Sequence, residues 1–233
     1  MTAPATVSLS LEVEAASSVS ALLCVPAIAW AGYVFAHGAG AGMTHAFMAA
    51  FATGLAERGI ATLRYQFPYM ERGSKRPDTP AVAQATVRAA VAEAARRLPG
   101  VPLFAGGKSF GGRMSSQAQA LSAMPVVRGL VFVGFPLHAA GKPSDTRAAH
   151  LFEIGVPMLF LQGTRDALAE PALLRPLLQR LGDRATLAWF EDADHSFHVR
   201  ARSGRSDADT LQSMLDTTAA WMRAHAAAAT PQG

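Results

Sequence analysis

The chain has 233 residues, half of them apolar and only 16% charged, which excludes a disordered chain and suits one globular domain. Its net charge of +4 is scattered, and the densest basic cluster is Arg200, Arg202 and Arg205. That distribution lacks the one-sided basic stripe of a nucleic-acid-binding surface, so no nucleic-acid partner is expected.

The N-terminus carries no basic n-region of a signal peptide. Leu9–Val13 and Ser20–Val25 read as two strands with no helix between them, a hairpin lead-in. Ala21–Ala36 is long and apolar enough to raise a membrane span, but Pro26 and Gly32 interrupt it and it runs into the glycine-rich His37–Gly42. Two strands joined by a turn over Pro26–Ala31 are expected instead, with no membrane span. Cys24 is the single cysteine, so no internal disulfide forms; it reads as a buried small hydrophobe, and a cytoplasmic setting is the default.

Short continuous apolar runs then recur at Gly32–His37, Ile60–Tyr65, Val101–Gly106, Leu130–Gly134 and Met158–Gln162. Continuous rather than alternating runs are expected of strands covered on both faces. Helical patterns separate most of them. Thr79 and Pro80 can start a helix whose apolar positions are Ala83, Val87, Val91, Ala94 and Leu98, with Arg96 and Arg97 in its last turn and Gly100 beyond. A final helix carries Leu211, Met214, Thr218, Trp221 and His225 at helical spacing. The pattern predicts an α/β architecture with a mostly parallel sheet, one domain over residues 1–225 and a disordered tail over 226–233.

Chemistry concentrates at Gly107-Lys108-Ser109-Phe110-Gly111, which follows an apolar run and precedes a helix-compatible segment. A sharp strand-to-helix turn of this kind lifts a serine oxygen above the sheet edge, and small flanking residues let the backbone turn. A nucleophilic serine needs a base, an acid that orients the base, and N–H donors for the oxyanion. After the Met158–Gln162 run comes Gly163-Thr164-Arg165-Asp166; after Thr186–Phe190 comes a loop holding His195. Ser109, Asp166 and His195 therefore follow the serine–acid–histidine chain order of hydrolases built on such sheets. The oxyanion donors expected are the N–H of Phe110 and that of Ala39, with Gly40 second, and His37 is expected to brace that loop. Asp166 also fits a helix-capping acid before Ala167–Leu181, and Asp192, Asp194 and Glu170 are alternative acids; His198 is the alternative base.

These segments resemble the α/β-hydrolase superfamily near its dienelactone-hydrolase-like branch. They are similar to small bacterial members related to the hydrolase-like domain of a chromatin NSL-complex subunit. The residues that carry the resemblance are His37–Gly42, Arg64–Tyr69, Gly107–Gly112, Gly134–His138, Asp166 and Asp194–Phe197. The resemblance implies an eight-stranded sheet with its second strand antiparallel, flanked by helices, and no metal or organic cofactor. True dienelactone hydrolases have a cysteine where Ser109 stands. Little chain is left for a large lid between Gly134 and Val156.

Other motifs fit less well. Gly107-Lys108-Ser109 resembles the end of a P-loop, but Pro102 stands where the first glycine belongs. His37–Gly42 resembles a dinucleotide fingerprint, but Met43 replaces the third glycine; Arg64 stays open as a 2′-phosphate contact. His195-x-x-His198 lacks a third metal ligand, so no metal is expected. His45, Phe67, Tyr69, Phe135, Leu137 and His138 are the expected lining of a substrate pocket, the two histidines being equally readable as structural. Lys108 and Arg113 flank the nucleophile and either attract an anionic substrate or point to solvent. The function expected is cleavage of small carboxylic esters or thioesters through an acyl-enzyme, the other reading being a catalytically silent binding module.

Overall fold

The computed structural model describes residues 4–13 and 18–227. Its strands are β1 (Ala5–Leu11), β2 (Val19–Val25), β3 (Ala31–Ala36), β4 (Ile60–Tyr65), β5 (Leu103–Lys108), β6 (Val127–Val133), β7 (Met158–Gly163) and β8 (Ala185–Phe190). They make one eight-stranded sheet in the order β1-β2-β4-β3-β5-β6-β7-β8. β2 runs antiparallel to β1 and to β4, and the other pairs are parallel.

Helices cover both faces, which is why the central strands are apolar without alternation. In β3, Val34 and Ala36 belong to one core while Tyr33 and Phe35 belong to the other. In β7, Met158 and Phe160 face the first and Leu159 and Leu161 the second. Successive side chains of a strand point to opposite faces, so burying both requires an apolar residue at every position. The first core is closed by α3 (Pro80–Arg97), α4 (Phe110–Leu121) and α5 (Pro171–Leu181), after the single turn α2 (Pro68–Glu71). The second is closed by α1 (Ala46–Glu57) and α6 (Asp207–His225), through Met48, Phe51 and Leu55 on one and Met214, Leu215 and Trp221 on the other. Each such large side chain contributes about 1.5–3 kcal/mol of burial.

Several expected boundaries move. The lead-in hairpin starts earlier, because Ala5 pairs with Val25 and Leu11 with Val19. Ala21–Ala36 divides between β2 and β3, and among the described residues no helix is long and apolar enough to cross a membrane. α3 starts where expected, at Pro80 after Thr79, although the Thr79 hydroxyl makes no capping bond. α5 begins at Pro171 rather than Ala167, because Asp166 and Ala169 close tight turns onto Gly163 and Asp166 before the proline. α6 has a complete capping box between Ser206 and Asp209. Of the tail expected over 226–233, residues 228–233 lie outside the described residues.

The strand order places the site. From β3 the chain goes through α1 to β4 on one side, and from β4 it crosses through α3 to β5 on the other. The loops after β3 and β5 therefore diverge and leave a crevice at the carboxyl ends of the strands. Between β6 and β7 only a 3-10 segment, Thr146–Glu153, stands above the sheet and packs on α4, so no large lid domain covers the crevice.

Candidate active site

Ser109 sits between β5 and α4 with φ 48° and ψ −114°. A non-glycine residue held there stores about 1–3 kcal/mol of strain, which persists only where the surroundings over-determine it. They do so here. The Ser109 N–H donates to the Val133 carbonyl (3.0 Å), and its own carbonyl accepts from Arg113 N–H (3.1 Å) to start α4. A Cβ on Gly107 would stand 2.4 Å from the Ala36 carbonyl oxygen. One on Gly111 would stand 2.6 Å from both the Ala36 and His37 oxygens. Those neighbours are backbone and cannot rotate away. Gly111→Ala is therefore expected to cost at least about 2–3 kcal/mol, read as a lowered thermal midpoint; an unchanged midpoint would show that the elbow is not close-packed against β3.

Three side chains meet above the strand ends. His195 Nε2 lies 2.8 Å from Ser109 Oγ, and His195 Nδ1 lies 2.7 Å from Asp166 Oδ2. The Asp166 carboxylate is fully buried, and Oδ1 accepts from Leu168 N–H (2.8 Å). Its Oδ2 also accepts from Gln162 Nε2, while Gln162 Oε1 accepts from Phe135 N–H (2.9 Å). Gln162 thus fixes Asp166 from behind, a contact absent from the sequence reading. Its one signal is a polar residue, buried, in an otherwise apolar strand.

The alternative acids do other work. Asp194 Oδ1 accepts from Ser196 N–H and His198 N–H and so shapes the loop around His195. Asp192 N–H is bonded to Thr164 Oγ1, and Glu170 precedes α5 at the surface. His198 pairs with Asp207 (2.6 Å) on the exposed side, and that carboxylate raises its pKa. Among the described residues no group of three His, Cys, Asp or Glu is placed to hold a metal ion.

The loop after β3 lies against the elbow, with the Cβ position of Gly38 3.8 Å from Ser109 Cβ. Among the described residues neither the Ala39 N–H nor the Phe110 N–H is donated to another backbone group. Phe110 opens α4, whose first N–H groups have no partner within the helix. Gly40 takes a positive φ of 78°. Gln66 Oε1 and Arg64 Nη1 hold the far end of the loop through Met43 N–H and Met43 carbonyl. Arg64 is thereby spent inside the fold rather than aimed at a phosphate.

His37 is buried, with Nδ1–H donating to the Gly38 carbonyl (2.8 Å) and Nε2 accepting from Phe67 N–H (3.0 Å). Both nitrogens are used by the neutral ring, and burial lowers its pKa to about 4. The unfolded chain takes up this proton below its ordinary value of about 6.5 while the native state refuses it until about 4. Stability therefore falls as pH drops from about 6.5 to 4, by roughly 2–4 kcal/mol from His37. His150, lowered to about 4 by burial and then by Arg113, acts in the same direction. Calorimetric midpoints across that window check this, and a midpoint flat in pH would show that His37 is not held neutral.

A cavity of about 620 Å³ opens beside Ser109 and His195, with Ala39, His45, Phe47, Met48, Lys108 and Leu168 in its wall. Of the expected pocket residues, His45 is there and also caps α1. Phe67, Tyr69, Phe135, Leu137 and His138 are not; each is 0–1% exposed. Phe67 and Tyr69 pack on His37 and Phe110, and Phe135 on Phe132 and Phe160. These strand-end residues belong to the first core: Phe67 caps α2, Tyr69 lies within it, and Phe135 and Leu137 follow β6 into the same cluster. The apolar wall comes instead from the first turn of α1 and from Leu168.

A family model described as an alpha/beta hydrolase domain matches residues 30–223. Among solved structures, the dienelactone hydrolase of Anabaena variabilis is 19% identical with a TM-score of 0.78, covering 97% of this chain and 100% of that one. An α/β serine hydrolase without a lid from Xanthomonas campestris is 22% identical with a TM-score of 0.74, covering 97% of both chains. Est1E of Butyrivibrio proteoclasticus, solved with ferulic acid bound, is 15% identical with a TM-score of 0.74, covering 93% of this chain and 98% of that one. At these identities the likeness is one of fold.

Proposed function

The chain belongs to the alpha/beta hydrolase domain family, and from that premise we propose that it is a serine hydrolase cleaving small carboxylic esters or thioesters through an acyl-enzyme. The observation that carries this reading is the relay of 2.8 Å from Ser109 to His195 and 2.7 Å from His195 to a buried, triply hydrogen-bonded Asp166. In the first half-reaction Ser109 Oγ attacks the carbonyl carbon and its proton passes to His195 Nε2. Asp166 holds Nδ1–H and stabilises the imidazolium. The Phe110 and Ala39 N–H groups, with Gly40 next, receive the oxyanion. Collapse expels the alcohol or thiol with the proton from His195. Water then gives a proton to Nε2 and attacks the acyl-serine, releasing the carboxylic acid and restoring Ser109.

The reading takes residues 1–225 as a single domain, needs no cofactor, and sets the enzyme in the cytoplasm. Within the family it places the chain near the dienelactone-hydrolase-like branch and the members related to the NSL-complex subunit. The apolar cavity wall supports an uncharged acyl or alcohol group beside the scissile bond. The test is intact mass after treatment with a fluorophosphonate, followed by a panel of neutral esters and thioesters. One adduct at Ser109 and turnover of the panel are expected. Folded protein that takes no adduct would favour the binding-module reading.

A further inference from the structure

Lys108 ends β5, next to Ser109, and its side chain crosses the carboxyl end of the sheet to the loop after β8. Its ammonium donates to the His195 carbonyl and lies 5.3 Å from the centre of the Phe197 ring. A Cβ on Gly134 would stand 3.1 Å from Lys108 Nζ and 3.4 Å from His195 Cε1, so the ammonium and the imidazole edge share one small space at the end of β6. The loop it grips is strained: Asp192 (φ 57°) and Phe197 (φ 67°), either side of His195, both have left-handed backbones. Strain of this kind needs a contact that over-determines it. Among the described residues no carboxylate forms an ion pair with Lys108. Lys108 is partly buried and borders the cavity beside Ser109, yet its ammonium is turned onto the histidine loop.

We propose that Lys108 is a positioning residue, a strap that ties the backbone of His195 to the nucleophile elbow and so sets the distance from His195 Nε2 to Ser109 Oγ. The proposal rests on the serine-hydrolase reading above. It adds a third role to the two that the sequence offers for Lys108, since the side chain turns onto the histidine loop.

Burial lowers the Lys108 pKa to about 8, opposed by the Asp166 and Asp194 carboxylates. The ionisable groups facing it are those two, from the loops after β7 and β8, and the His195 imidazole; His45 and His198 share the cavity wall with it, and Gly134 and Gly38 offer none. Loss of the proton weakens both the charge-assisted bond and the hold on Phe197.

The test uses the full chain with a neutral ester, comparing wild type, Lys108→Met and Lys108→Arg, each checked for folding by circular dichroism. Lys108→Met is expected to lower kcat by about 10- to 100-fold with KM within about twofold, as for a slightly misplaced base. Lys108→Arg is expected to recover activity. The wild-type kcat should fall above about pH 8, and that fall should be absent in Lys108→Met. Wild-type kcat in Lys108→Met overturns the proposal, as does a raised KM confined to anionic esters, which would make Lys108 a substrate contact. If Lys108→Met does not fold, a wild-type profile flat from about pH 7 to about pH 10 overturns it. Failure of the serine-hydrolase reading is distinct: the wild type itself would then neither turn over nor label at Ser109.

Discussion

Ser109→Ala is expected to lower kcat by about 10⁴- to 10⁶-fold and to abolish the fluorophosphonate adduct while leaving the fold intact. The loss is large because the alanine removes the attacking atom itself, and the remaining turnover comes only from binding and the oxyanion donors. The fold should survive, since the bonds that hold the elbow run through the Ser109 backbone to Val133 and Arg113, not through Oγ. The removed hydroxyl bonds only to His195, which is partly exposed and able to take a water. Alanine keeps the Cβ, so the strain at φ 48° is unchanged by the substitution. Retention of most activity would move the nucleophile away from Ser109.

Asp166→Asn is expected to lower kcat by about 10²- to 10⁴-fold at a stability cost of about 1–3 kcal/mol. The carboxylate receives three donors: His195 Nδ1–H and Gln162 on Oδ2, and Leu168 N–H on Oδ1. An amide has one acceptor oxygen, so one side must fail. With its NH₂ toward His195, the amide holds the wrong tautomer, and Nε2 then carries a proton and cannot take one from Ser109. With its NH₂ toward Leu168, two donors face each other and the charge that stabilises the imidazolium is gone. Steady-state kcat with a thermal melt separates the two costs. An undiminished kcat would assign the orienting role elsewhere, and neither Asp194 nor Asp192 faces His195 without rebuilding its loop.

Much of the fold was legible because strand periodicity is local. Continuous apolar runs at Ile60–Tyr65 and Met158–Gln162 report burial on both faces without reference to any neighbour. The helix start at Thr79–Pro80 was legible, whereas the start expected after Asp166 moved to Pro171, where a proline and two preceding tight turns set it. The positions of Ser109, Asp166 and His195 on the loops after β5, β7 and β8 follow from the order of elements, since each stands past a strand. The pocket did not follow, because a strand-end aromatic in sequence carries no sign of whether the next segment turns outward or down. Phe67 and Tyr69, at the cap and in the turn of α2, went into the core, and the cavity took Phe47, Met48 and Leu168 from elements far apart in the chain.

Sequence alone determined the layered α/β architecture, the elbow at Ser109 and the order of the candidate acid and base, because these depend on local backbone geometry and residue spacing. Only the tertiary structure decided which acid reaches His195, that Gln162 holds that acid, that His37 is neutral, and that Lys108 turns onto the histidine loop. Each of those is a contact between segments 4 to 87 residues apart along the chain. Their geometry is set by how the sheet and its loops pack, so no spacing of residues along the chain encodes it by itself.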